Sequence, residues 1–131
     1  MIVVDTNVMV RLVVGGEQGA GAARLLGEDS EWAAPGILLS ELNNVLLGFA
    51  RRGHITTDQA LAMSDDARGV LGDRIAAVPG QQVIAVALEC GLSAYDAEFV
   101  VLARSLGVPL VTLDQAILAG APDIAVPLQV A

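Results

Sequence analysis

The sequence predicts an α/β fold, a three-layer α/β/α sandwich around a central parallel sheet. Two patterns predict it. Short apolar, β-branched runs alternate with longer segments of helical periodicity, as strands joined by crossover helices do. Hydrophobic residues make up 54% of the chain and mean hydropathy is +0.62. A sheet covered on both faces absorbs much of that apolarity, and an apolar partner surface can absorb the rest. Length sets the bound: 131 residues suffice for one domain and fall short of two, so residues 1–131 are taken as a single domain.

Ile2-Val3-Val4 has the character of a strand buried on both faces, ending at Asp5. Asp5 or Thr6 caps a helix to about Val13, and the glycine-rich stretch Gly15 to Gly21 is expected to be a loop. That stretch matches neither glycine spacing that cradles phosphate. Ala22 to Leu26 is a short helix and Trp32 to Ala34 a short strand, punctuated by Pro35-Gly36. Ile37 to Arg52 is a strong helix with Leu38, Leu42, Val45, Leu46 and Phe49 on one stripe, stopped by Gly53. Thr57 caps a more polar helix to about Val70. Arg74 to Val78 is a strand, and Gln81 to Cys90 a helix ending at Gly91. Ser93 opens a helix to about Leu106, closed by Gly107 and Pro109. Leu110 to Thr112 is a strand, Gln115 to Ala119 a short helix, and Ile124 to Leu128 an edge strand that tolerates Pro127.

Charge excludes several chemistries. Fifteen acidic residues against seven basic ones give a net charge of −8. All seven basic residues are arginines, which excludes Schiff-base and P-loop lysine mechanisms. The acidity also argues against a protein that coats nucleic acid through a basic surface. A single histidine, His54, excludes a two-histidine nuclease, and a single cysteine, Cys90, excludes a disulfide framework or a cysteine zinc site. No segment has the composition of a membrane span. The apolar start, Met1 to Val14, lacks a basic leader and carries Asp5 and Arg11, so a cytoplasmic location is the default.

Most of the acids lie in polar stretches, but Asp5, Glu41, Asp96 and Asp114 do not. Asp5 and Asp114 directly follow strands, and each could simply cap the next helix. Glu41 has Ile37, Leu38, Leu42 and Val45 around it on its helix, an address that penalises a carboxylate without a partner or cation. Asp96 faces the side of Phe99, Val100 and Ala103, although Ser93-Ala94-Tyr95-Asp96 also fits a capping box. Strand C-termini and helix N-termini share one edge of a parallel sheet, where ligand sites form. Four converging carboxylates repel one another unless a cation joins them, and oxygen-only ligands suit Mg²⁺ or Mn²⁺. The chemistry this favours is metal-assisted phosphodiester hydrolysis.

These residues fall into an order that resembles a known family. Val4-Asp5-Thr6-Asn7, Pro35 through Ser40-Glu41-Leu42-Asn43-Asn44-Val45-Leu46, Tyr95-Asp96-Ala97 and Leu110-Val111-Thr112-Leu113-Asp114 are similar to the successive motifs of PIN-domain ribonucleases. Length and starting point are most similar to VapC-type toxins of toxin–antitoxin pairs. The resemblance implies an acidic quartet of Asp5, Glu41, Asp96 and Asp114 that binds Mg²⁺ or Mn²⁺, with Thr6, Asn7 and Thr112 orienting the carboxylates or a metal-bound water. It implies RNA as substrate, a cognate antitoxin as partner, and a homodimer. Arg11, Arg51 and Arg52 are the candidate phosphate contacts, although Arg51 and Arg52 also suit a helix C-terminus. Glu98 is turned by about 200° from Asp96 and is expected in solvent. His54 is expected at the surface, and Cys90 as a small buried side chain. Two other classes remain open. A phosphatase with Asp5 as nucleophile lacks the second aspartate two positions on, and a PIN-like module that only binds would show no carboxylate-dependent metal binding.

Overall fold

The computed structural model describes residues 1–130. β1 (Ile2–Val4) leads into α1 (Thr6–Val14), a 3-10 turn at Glu17–Gly19 and α2 (Ala20–Glu28). β2 (Trp32–Pro35), α3 (Ile37–Arg51), α4 (Thr57–Leu71) and β3 (Ile75–Ala76) follow. The chain continues through α5 (Gly80–Cys90), α6 (Ala94–Leu106), β4 (Leu110–Thr112), α7 (Gln115–Gly120) and β5 (Ala125–Pro127). All strand pairs are parallel and the order is β3-β2-β1-β4-β5.

The chain steps outward from β1 through β2 to β3, then returns to β1's other side for β4 and β5. Right-handed crossovers put the helices of these two legs on opposite faces. The packing agrees: α1 lies against α3 and α4, whereas α5 lies on α6, which covers β1, β2 and β4. Three layers result, as the alternating pattern predicts.

The three central strands β2, β1 and β4 are buried end to end, whereas the outer strands β3 and β5 are partly exposed. Val3, Val4, Trp32, Ala34, Leu110 and Thr112 have no exposed surface. Leu38, Leu42 and Leu46 seal α3 onto this sheet, and Phe99, Val100 and Ala103 seal α6 from the other side. Burial on this scale is the main term holding the fold together, at roughly 1.5–3 kcal/mol for each large apolar side chain. Arg104 clamps the outer layer. Its guanidinium donates to both carboxylate oxygens of Asp123 at 2.9 and 3.0 Å and approaches Glu89 at 3.4 Å.

Five local expectations are revised. The Gly15–Gly21 stretch is not simply a loop: it contains the 3-10 turn, and α2 begins at Ala20, because Gly19 and Gly21 allow this segment to lie tightly on its neighbours. A Cβ on Gly21 would collide with the carbonyl of Gln129. The cap of α4 is Thr56 rather than Thr57, since Thr56 forms a reciprocal capping box with Gln59. β3 pairs over only two residues, Ile75 and Ala76. Glu98 and Cys90 are both half-buried, one beside the heavily packed face of α6 and the other near Arg104. Pro127 does sit in edge strand β5, where Leu128 N–H donates to Thr112 and the proline ring turns no donor toward the ladder.

Candidate active site

The direction of strand order reverses between β1 and β4, which is where an open parallel sheet forms a crevice at its carboxyl edge. Asp5 leaves β1 at that point, and Asp114 follows β4. Glu41 is in the second turn of α3 and Asp96 in the first turn of α6, one helix from each face of the sheet.

Asp5 is the most constrained of the four. Its N–H stays in the sheet, donating to the Val111 carbonyl at 3.0 Å, while its own carbonyl accepts from Val8 and Met9 in α1. Its Oδ1 accepts from the Thr6 N–H at 2.7 Å and its Oδ2 from the Thr112 hydroxyl at 2.7 Å. Only 6% of the residue is exposed. That burial pushes its carboxyl up to about 6, against the lowering pull of Thr112 and Thr6, and the charges of Asp96 and Asp114 add to the rise.

Thr112 serves two strand ends at once. It is fully buried, and while donating to Asp5 its oxygen accepts from the Asp114 N–H at 2.9 Å. Asp114 is also the cap of α7: its Oδ1 accepts from Ala116 and Ile117, leaving Oδ2 outside those bonds. Capping and site membership are therefore compatible for this residue. Across the crevice the Thr6 hydroxyl donates to Glu41 Oε1 at 2.6 Å, tying α1 to α3. Ser93 caps α6 by accepting from the Asp96 N–H at 3.1 Å. The carboxyl of Asp96 is raised by burial, then by Asp114 and Glu41, with Ser93 lowering it in part.

Asp96 and Asp114 bear on Asp5, and Asp114 and Glu41 on Asp96, so the four acids lie within one another's electrostatic reach. Among the described residues, no arginine stands within ion-pairing distance of any of them. The donor chemistry fits a hard divalent cation: carboxylates of like charge, two of them pushed toward protonation chiefly by burial and further by the neighbouring acids. Among the described residues the side chains do not already form a ready-made ligand cage.

The remaining candidates lie farther out. Asn7 is exposed at the start of α1. Arg11 is half-buried and its guanidinium reaches the Gln18 carbonyl at 3.5 Å, across the glycine-rich segment. Arg51 and Arg52 are exposed at the C-terminal end of α3, and His54 is exposed just beyond. Which hydroxyl serves which carboxylate is the detail that the sequence leaves unassigned. The spacing of Thr6 and Thr112 relative to the acids was the only available signal for it.

Comparison with known proteins agrees with this architecture. The chain is 29% identical over 130 residues to Ribonuclease VapC3 of Pyrobaculum aerophilum, covering 96% of this chain and 98% of that protein. The crystal structure of PAE2754 from Pyrobaculum aerophilum superposes with a TM-score of 0.76 at 25% identity, covering 95% of this chain and 81% of that one. A toxin–antitoxin complex from Klebsiella pneumoniae shares the fold, with a TM-score of 0.69 at 22% identity over 96% of each chain. The PIN domain family model matches residues 2–121, a span that contains Asp5, Glu41, Asp96 and Asp114. The chain belongs to the PIN domain family.

Proposed function

We propose that this protein is a Mg²⁺- or Mn²⁺-dependent endoribonuclease, acting as the toxin of a toxin–antitoxin pair. One observation carries the nuclease reading: four acids lie within electrostatic reach of one another at the sheet's switch point and, among the described residues, no arginine is paired to them. The likeness to Ribonuclease VapC3 supports RNA as the substrate. Similarity of the ordered motifs to VapC-type toxins supports a cognate antitoxin, a homodimer and a cytoplasmic setting. Among the described residues, no helix is long and apolar enough to cross a membrane.

Asp5, Glu41, Asp96 and Asp114 are the residues that would hold the cation, which when bound supplies Lewis-acid polarisation of the phosphate and activation of water. The chain's own contribution is positioning. Thr112 and the Thr6 N–H each take one oxygen of Asp5, so the carboxylate cannot rotate away. The Thr6 hydroxyl does the same for Glu41, and the first amides of α7 do it for Asp114. Asp96 is half-buried in the first turn of α6, where the Ser93 cap fixes the start of the helix that carries it. In this reading hydrolysis is direct, by water, with Cys90 near Arg104 and His54 beyond α3 taking no part.

Sequencing RNA 5′ ends after brief expression of wild type and of Asp5→Asn tests this reading and finds the target. New ends that appear only with wild type are expected. Identical end profiles, or cleavage by purified enzyme that survives EDTA, would overturn it.

A further inference from the structure

Glu41 shares its shoulder of α3 with a second chemical feature. Gly48 and Arg52 follow it at i+7 and i+11, positions that recur along one line of a helix. The arginine side chain folds back along that line: a Cβ added at Gly48 would meet Arg52 Nη1 at 3.2 Å. Glycine therefore leaves the floor on which the guanidinium rests. The Phe49 ring supports it from beside, with Arg52 Cζ 5.4 Å from the ring centroid. Arg51 stands next to it, and both arginines line a groove of about 340 Å³ together with Asn44, Leu47 and Gly48.

Neither guanidinium meets a carboxylate within 4.0 Å among the described residues. Elsewhere, Arg74 is committed to the carbonyls of Trp32 and Val70, and Arg104 to Asp123 and Glu89. In a chain of net charge −8, an adjacent arginine pair without carboxylate partners is a local cationic site in a repulsive surround. Along α3, Gly48 lies about 10 Å from Glu41 by helical rise. That separation is within the reach of one bound nucleic-acid strand.

We propose that Arg51 and Arg52 form a phosphate-binding subsite that holds the RNA backbone a few nucleotides from the bond to be cut. The proposal rests on the ribonuclease reading and adds to it a fixed path, running from the carboxylates along one shoulder of α3. A guanidinium already held in place loses little freedom on binding and meets phosphate oxygens in a bidentate geometry. Such a contact positions the strand without reading its bases.

The test measures binding of a fluorescent single-stranded uridine 12-mer across a salt series, in full-length protein carrying Asp5→Asn, with probe integrity checked on gels. Adding Arg51→Ala and Arg52→Ala is expected to weaken binding about tenfold and to flatten the log–log salt slope by about one. Arg68→Ala, an exposed arginine on α4, is expected to leave both nearly unchanged. Equal affinity and slope with and without the pair would overturn the proposal. So would arginine-dependent binding of a polyglutamate 12-mer that the RNA cannot displace, which would assign the groove to an acidic protein segment. Failure of the ribonuclease reading shows separately, as absence of metal-dependent cleavage by wild type.

Discussion

The hydroxyl of Thr112 donates to the carboxylate of Asp5 at 2.7 Å, joining positions 107 residues apart. Neither side chain is free to leave the other, because both are buried and Thr112 accepts from Asp114 as well. Replacing Thr112 with valine keeps the shape and removes both bonds. Thr112→Val is expected to cost about 1–3 kcal/mol in urea unfolding and to depress RNA cleavage strongly. Thr112→Ser should recover most of both losses. A valine variant as active as wild type would show that the carboxylate needs no such anchor.

Asp5 also makes stability depend on pH. Its carboxyl titrates near 6 in the folded protein against 3.8 ordinarily. Between those values the folded state holds a proton that the unfolded chain has released, so this residue's contribution is fully present below about 3.8 and is lost by about 6. The loss is on the order of 3 kcal/mol for the metal-free protein. Asp5→Asn is expected to raise the urea midpoint at pH 7 and to change it little at pH 4. Asp96 shifts in the same direction.

Divalent metal should offset that loss. Mg²⁺ or Mn²⁺ is expected to raise the Tm of wild type at pH 7 as its concentration increases. The double variant Asp5→Asn/Asp96→Asn should show no rise. Equal rises in both proteins would place the stabilising ion somewhere other than the crevice.

Trp32 makes a different prediction. Its ring is fully buried and, among the described residues, its Nε1–H has no hydrogen-bond partner. Trp32→Phe leaves a small void but also removes an unpaired donor whose burial costs about 1–3 kcal/mol. The two effects oppose, so circular dichroism melts should show a loss below about 1.5 kcal/mol, against about 3–5 for Trp32→Ala.

Gly21 packs under the Gln129 carbonyl and the Val130 backbone. Gly21→Ala would force α2 away from this segment, at a cost of about 1–3 kcal/mol. Gly27 is a control on the same helix, where a Cβ meets nothing within 4 Å. Gly27→Ala should stabilise slightly through helix propensity.

The strands and long helices were legible because burial and periodicity write directly into residue type. Leu38, Leu42 and Leu46 announce the face of α3, and Gly91 and Gly107 end α5 and α6 in the left-handed conformation only glycine adopts readily. The four acids were legible for a related reason, since a carboxylate beside an apolar stripe is conspicuous. The 3-10 turn and early start of α2 were hidden because glycines there serve close packing with Arg11 and Gln129, distant partners that no local pattern reveals. The pairing of Thr112 with Asp5 was hidden too. It depends on β4 lying beside β1, and strand order is not a local property.

That neighbouring of β1 and β4 also sets when the crevice can exist. β1 and Asp5 are made before the strand carrying Thr112, which follows 107 residues later, and before the acid at position 114. Until β4 has been made, Asp5 lacks its anchor and the company of Asp114. Completion of the crevice therefore waits on β4 settling beside β1, a pairing of strands separated by most of the chain.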